Sequence, residues 1–195
     1  MKNVISTLVA LALLAPLNLL ASTWAIDPDH TTAQFKVKHL MISNVKGVFE
    51  KVTGTLNLDD QDITKSKVDV SIDMASLNTN IKKRDDHLRS PDFFDIAKFP
   101  HMTFTSTRVE QAGPGKLKVT GNLTLKGVTK PVVLDVEGLT PEIKDPWGNM
   151  RRGAAATTTV KRHEFGVNWN KTMDNGGVVV GEDVAIQLEV EFVRK

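Results

Sequence analysis

The chain has 195 residues, with 25 Lys and Arg against 23 Asp and Glu, a formal charge of +2, and neither cysteine nor tyrosine. That length suits one domain with a full core, and the missing thiols exclude a disulfide scaffold and all thiolate-based zinc, iron–sulfur or nucleophile chemistry. Near-neutrality with no aromatic-studded basic face argues against nucleic acid as a partner; the densest basic run, Lys82-Lys83-Arg84, meets Asp85-Asp86 at once and reads as a solvated helix surface.

Met1-Lys2-Asn3 is a short positive start, Val4 to Leu20 is mostly apolar, and Ala21-Ser22 supplies small residues. This is the pattern of a secretory leader. The reading removes residues 1–21 as a cleaved signal peptide and leaves 22–195 as a single domain in the periplasm or outside the cell. A cut after Ala25 would instead take part of the first strand. The apolar run is short for a bilayer span, and no cysteine is present to carry a lipid anchor.

Strict alternation then begins. Ala33, Phe35, Val37 and His39 share one face while Gln34, Lys36 and Lys38 share the other, the pattern of a half-buried strand. Val68, Val70, Ile72 and Met74 repeat it, as do Leu117, Val119, Gly121, Leu123 and Leu125, and finally Val184, Ile186, Leu188, Val190 and Phe192. Strands are also expected at 44–58, 101–110, 130–138 and 151–162, about eight long ones in all, separated by Asp, Asn, Gly and Pro turns. Around Lys51 to Gly54 the apolar parity changes, as it does across a bulge.

One segment departs from this. Asn78 to Ser90, with Asn78 and Asn80 as cap candidates and Ile81 and Leu88 seven apart, predicts a short helix. Ser90-Pro91-Asp92 predicts a second helical turn carrying Phe93, Phe94 and Phe99, an apolar plug over a sheet or one end of it. Eight antiparallel strands with one helical excursion fit a closed barrel or a two-sheet sandwich. Gly121, Ala154, Ala156 and Thr158 suggest an inward surface with room in it, unless Phe35, Phe49 and Phe104 fill that room.

Catalytic patterns are lacking. His30, His39, His87, His101 and His163 show no metal-ligand spacing, no glycine loop opens a helix after a strand, and no G-x-S-x-G turn occurs. Asp85, Asp86, Asp92 and Asp95 are explained by helix capping and by pairing with Arg84 or Arg89. The expectation is a binding protein without cofactor or metal, not an enzyme.

The string Arg84-Asp85-Asp86-His87-Leu88-Arg89-Ser90-Pro91-Asp92-Phe93-Phe94-Asp95, followed by Phe99-Pro100 and Thr103-Phe104-Thr105-Ser106, resembles a distinctive block of the YceI-like family of polyisoprenoid-binding proteins. Phe35 to Gly47 with His39-Leu40, the stretch Gly121 to Val132, Asp145-Pro146-Trp147-Gly148 and Phe165-Gly166 are similar to further family blocks, in the same order. The resemblance spans roughly 24 to 193. It implies an all-β fold, an extended eight-stranded antiparallel lipocalin-like barrel with a short helical insertion around residues 78–99, exported to the periplasm. The implied function is to hold a polyisoprenoid, such as an isoprenoid quinone or polyprenyl lipid, in an apolar pore for transport, storage or sequestration. The alternative is a general scavenger of fatty amides, fatty acids or hydrophobic toxins. Ala154 and Thr158 replace an aromatic and a glycine common at those places in the family, so pore width there is open.

The alternation then selects the pore wall: Phe35, Val37, Val45, Phe49, Val70, Ile72, Phe104, Leu123, Leu134, Ala154 and Ala156. His39, in phase at a strand end, and Arg152, in phase with Ala154, are the polar candidates for a head group at the mouth. The implied partner is a long-chain isoprenoid or similar amphiphilic lipid; transient membrane contact and a homodimer are both compatible with the sequence.

Overall fold

A computed structural model describes residues 21–174 and 176–195. The leader expected at 1–21 lies outside the described residues apart from Ala21. Twelve strands form one antiparallel sheet: β1 (Ala21–Ile26), β2 (Thr32–His39), β3 (Ser43–Phe49), β4 (Val52–Asp59), β5 (Lys67–Asp73), β6 (Leu77–Asn78), β7 (His101–Gly113), β8 (Lys116–Leu125), β9 (Val128–Glu137), β10 (Ile143–Lys144), β11 (Met150–Lys161) and β12 (Val180–Arg194). Eight of them close on themselves in the order β11-β9-β8-β7-β5-β4-β1-β12, because β12 pairs with β11 along one edge. On its other edge β12 pairs with β1 through Phe192 and with β2 through Val180 to Glu189. The barrel is therefore extended beyond its closed section by β2, β3 and β6. The expected lipocalin-like barrel is what the chain forms.

Alternation sets the walls as expected. In β2 the side chains of Thr32, Gln34, Lys36 and Lys38 are exposed while Ala33, Phe35, Val37 and His39 turn inward. The run expected as one strand over 44–58 is two, because the chain breaks at Glu50-Lys51, where the Lys51 amide donates to Ser76 Oγ at 3.0 Å and its carbonyl accepts from the Asp73 amide at 3.0 Å. The break explains the parity change: β3 buries Gly47 and Phe49, β4 buries Val52, Leu56 and Leu58. A register shift between Ser106 and Arg108 makes the same switch in β7, from Phe104 to Val109. The β8–β9 hairpin turns on Lys126 and Gly127, both at positive φ (50° and 76°), as a two-residue turn requires. A Cβ on Gly127 would also stand 2.6 Å from the Phe99 ring.

The helix α1 (Lys82–Arg89) is shorter than the 78–90 expected, and Ile81 stands at its N-cap position without a side-chain cap. Asn78 does not cap it; its Oδ1 accepts from the Asn80 amide at 2.8 Å in a local turn. The segment after Ser90 is a series of turns and not a second helix, since Ser90 Oγ donates back to the His87 carbonyl at 2.8 Å and closes α1. Of the basic run, Lys82 and Lys83 are solvated, whereas Arg84 folds inward and donates to Thr79 Oγ1 and the Thr79 carbonyl at 2.7 Å each. Asp85 is buried and accepts from the Thr79 amide and hydroxyl, and Asp86 meets Lys82 at 2.6 Å. These contacts tie the helix over the end of the barrel at which β2 finishes and β12 starts, called the upper end below.

Candidate functional site

The inward row of β12, Val184, Ile186, Leu188 and Val190, is only half-buried, as are Phe35 and Val37 on β2. Side chains that point into a barrel and still keep accessible surface are facing open space within it. Two apolar cavities account for that space. The upper one, about 260 Å³, is walled by Phe35, Val37, Val45, Phe49, Ile72, Met102, Leu123, Val184 and Ile186. The lower one, about 110 Å³, is walled by Ile26, Val70, Phe104, Leu134, Ala154, Ala156, Val190 and Phe192, and Leu188 borders both. Together they enter the range of roughly 300–1,000 Å³ usual for small-molecule sites.

The helical insertion roofs the upper cavity. Leu88, Phe93 and Phe94 line it, and Phe94 meets Phe49 edge-on at 6.2 Å, which in turn packs on Phe35 at 5.8 Å. His87, held by Asp92 at 2.9 Å, stands edge-on to Phe93 and Trp169 at 5.0 and 5.1 Å. The expected aromatic plug thus exists, built by turns instead of a helix.

At one point the wall of the lower cavity is filled by an aromatic ring packed on a glycine. Gly121 is the inward position expected to leave room, and a Cβ there would run into the Phe104 ring. Phe104 fills the space that Gly121 vacates, so this glycine makes room for a side chain and not for open volume. Ala154 and Ala156 do border open volume in the lower cavity.

Among the described residues, the Lys and Arg side chains on the upper cavity meet no opposite charge in its lining. Lys38, Arg84 and Arg162 line it together with His39 and His87, and among the described residues no carboxylate does. Arg162 is 7% exposed and is solvated by backbone carbonyls, donating from Nε to Gly181 at 2.8 Å and from Nη1 to Val167 and Trp169 at 2.7 and 2.9 Å. Burial pulls its pKa below the usual guanidinium value, Glu182 opposing. Among the described residues, no carboxylate forms an ion pair with it.

Of the residues selected from the sequence, His39 and the eleven apolar ones each line one of the two cavities. Arg152 does not. Its guanidinium carbon lies 5.2 Å from the centre of the Trp24 ring and its Nη1 donates to the Thr140 carbonyl at 3.1 Å, at the lower rim and outside both apolar cavities. Phase placed it on the inner side, but a long side chain at a strand end follows the nearest aromatic face. The β12 row was legible as an inward face and belongs to the wall; Arg162 opens the short 3-10 helix Arg162–Phe165 that ends β11, and Val167 and Trp169 come from the irregular backbone after it and carried no periodic signal.

A second polar cluster sits on the lower rim. One ligand-type atom each from Asp27, His30 and Glu191 lies within 4.8 Å of the others. Arg151 already supplies a cation there: Nη1 donates to Asp27 at 2.6 Å and to Glu191, and Nε to Asp145 at 2.6 Å. The Arg151 hydrogen bond, aided by His30 and opposed by burial, holds the Asp27 carboxyl at about 2. Burial pushes Asp145 up, but Arg151 and Asn149 outweigh it and keep that carboxyl below its ordinary range. The bond to Asp27 raises His30 in return. These groups are mutually satisfied and form a structural knot joining the β1–β2 connection to β11 and β12.

Comparisons agree with this architecture. A family model described as a YceI-like domain matches residues 24–192. A UPF0312 protein of Shewanella baltica is 40% identical over 196 residues, covering 100% of this chain and 99% of its own length. The solved YCEI protein of Campylobacter jejuni is 36% identical with a TM-score of 0.67, covering 81% of this chain and 90% of that one. A polyisoprenoid binding domain from Saccharophagus degradans, implicated in plant cell wall breakdown, shares the fold at a TM-score of 0.65 and 16% identity, covering 90% of this chain and 100% of its own. With the matched segment running from the first strand of the barrel to the last, the chain belongs to the YceI-like family.

Proposed function

We propose that this YceI-like chain is a periplasmic binding protein that holds a polyisoprenoid, such as an isoprenoid quinone or polyprenyl lipid, in its two-chamber pore for transport, storage or sequestration. The observation that carries the reading is the half-buried inward row of β12, whose apolar surface faces the two cavities. The polyisoprenoid binding named for the Saccharophagus domain supports the ligand class. At about 0.8 kcal/mol per buried CH₂, a long prenyl chain gains tens of kcal/mol over water, more than any real affinity. The bilayer is the proper reference. Transfer from one apolar medium to another is nearly balanced, so exchange is reversible and selectivity comes from chamber shape and from His39, Lys38, Arg84 and Arg162 at the head group. Phe35, Val37, Val45, Phe49, Ile72 and Leu123 contact the proximal part of the chain, and Val70, Phe104, Leu134, Ala154 and Ala156 its distal part.

One observation favours the scavenger as the second reading: a cavity with cations and no carboxylate among the described residues also suits a fatty acid. A cut after Ala21 leaves Trp24, which is 0% exposed, in place, whereas a cut after Ala25 removes it; we take 22–195 as the mature domain. Native mass spectrometry of the protein purified from its own cells, followed by organic extraction, tests the reading. A stoichiometric isoprenoid is expected on a chain starting at Ser22, with the same spectrum reporting monomer or pair. Fatty acids or amides in its place select the scavenger, and an empty chain that also fails to take up prenyl lipids overturns the pore as a binding site.

A further inference from the structure

The β2–β3 hairpin ends in an apolar tip at the mouth of the upper cavity. Leu40 and Met41 both adopt left-handed backbone angles, φ 51° and 60°, which non-glycine residues avoid. The turn is held by the Leu40 amide on the Val179 carbonyl at 2.8 Å and the Ile42 amide on the His39 carbonyl at 3.2 Å. The result is to project Met41, 51% exposed, and Ile42, 83% exposed, into solvent. A turn that needed only to reverse the chain would be built more cheaply from Asn and Gly.

Charge identifies what covers the tip. From Thr32 to Phe49 the hairpin carries Lys36, Lys38 and Lys46 and no acid, and among the described residues none of the three is in an ion pair. Of the neighbouring acids Asp183 meets Lys161 at 3.0 Å, and Glu182 stands 3.9 Å from His163 and acts on Arg162. The adjoining turn adds Lys171 and Asp174, which offset one another. Apolar side chains at a convex end behind unpaired lysines suit an interface whose interior is apolar and whose surface is negative.

We propose that the Leu40–Ile42 tip docks the barrel on an anionic lipid bilayer, Met41 and Ile42 entering the head-group region and Lys36, Lys38 and Lys46 facing lipid phosphates. Val37, Lys38 and His39, just before the tip, line the upper cavity, so docking sets the cavity mouth against the membrane. The proposal extends the carrier reading by naming the surface from which lipid enters, and it is tested without cargo.

The opposite end supplies the control. Trp147 is 82% exposed there, but Arg151 is taken by Asp145 and Arg152 by Glu142, which leaves Lys144 as a single cation beside it in place of a row of three. The test is co-flotation of the mature chain with phosphatidylcholine vesicles, with and without phosphatidylglycerol. Binding is expected only with phosphatidylglycerol and falls as salt rises. Met41→Glu with Ile42→Glu lowers it more than tenfold, Lys36→Gln and Lys46→Gln, which lie outside the cavity wall, each lower it roughly fivefold, and Trp147→Ala leaves it unchanged. All these positions are exposed, so unchanged melting temperatures and unchanged prenyl uptake from detergent show that only docking is affected. Absence of vesicle binding, binding that survives the double Glu variant, loss with Trp147→Ala, or a tip-dependent dimer in place of vesicle binding each overturns the proposal. Failure of prenyl uptake with vesicle binding intact would instead count against the pore.

Discussion

Phe104 walls the lower chamber, and its removal measures whether a ligand chain reaches that far. The ring is buried on Gly121 and borders the lower cavity of about 110 Å³. Phe→Ala in a packed core costs about 3–5 kcal/mol. Here one side of the ring already faces a void and forfeits fewer contacts, which puts Phe104→Ala near 3 kcal/mol for the empty protein, a fall of roughly 6–12 °C in Tm for a domain of this size. In the lipid-loaded protein the vacated space is open to the ligand. Two or three methylenes moving into it return about 2 kcal/mol, so the loaded variant loses only about 1 kcal/mol. Urea unfolding of delipidated and prenyl-loaded protein, wild type and variant, reads both numbers, with m unchanged. Equal losses in the two forms would show that Phe104 is ordinary core that no ligand approaches, and occupation of the lower chamber by the ligand would be refuted.

Ile186→Trp extends a half-buried wall residue into the upper cavity, so lipid stoichiometry by native mass spectrometry should fall sharply while the melting temperature stays within a few degrees; unchanged loading would mean that the ligand does not lie there. Asp27, with its carboxyl lowered from 3.8 to about 2, contributes stability that is present above 3.8 and lost as pH falls through about 2. Arg151→Met should remove that part of the acid-unfolding curve, and superimposable curves between pH 4 and 2 would show that the knot does nothing. Gly127→Ala, at φ 76° and against Phe99, should destabilise by more than about 1 kcal/mol, read by thermal unfolding, and a neutral result would mean that the turn relaxes.

Period-two patterning made the walls legible because the inner face of a barrel is apolar whether it is packed or hollow. For the same reason it could not say which inward residues meet open space. Gly121 illustrates the difficulty: the size of an inward side chain depends on what stands opposite, and Phe104 lies on another strand. The parity break at Glu50-Lys51 was visible, but a bulge and a chain break leave the same trace. Phase put Arg152 on the inner side, where its guanidinium lies over the buried Trp24 ring, but phase fixes where a Cβ points and could not say that the group would end outside both cavities. Trp169 lies in irregular backbone, where no period exists to be read, Arg162 sits just past the end of β11 in a 3-10 turn, and the Asp27–Arg151–Glu191 knot joins residues far apart in the chain. The helical insertion was read correctly as a plug, yet its caps were not, since Asn78 and Ser90 satisfy local turns first.

The fifteen residues of β12 give the chain a particular order of events. This strand is the shared edge of β11, β1 and β2, so the ring closes only when β12 meets β1. Every earlier hairpin can form locally, but the join of Phe192 to Ile26 spans nearly the whole sequence and carries its loop-closure entropy. An interior able to accept a lipid therefore exists only once that long-range join is made, and without it the apolar faces of β5, β7, β8 and β9 have no enclosed space to offer.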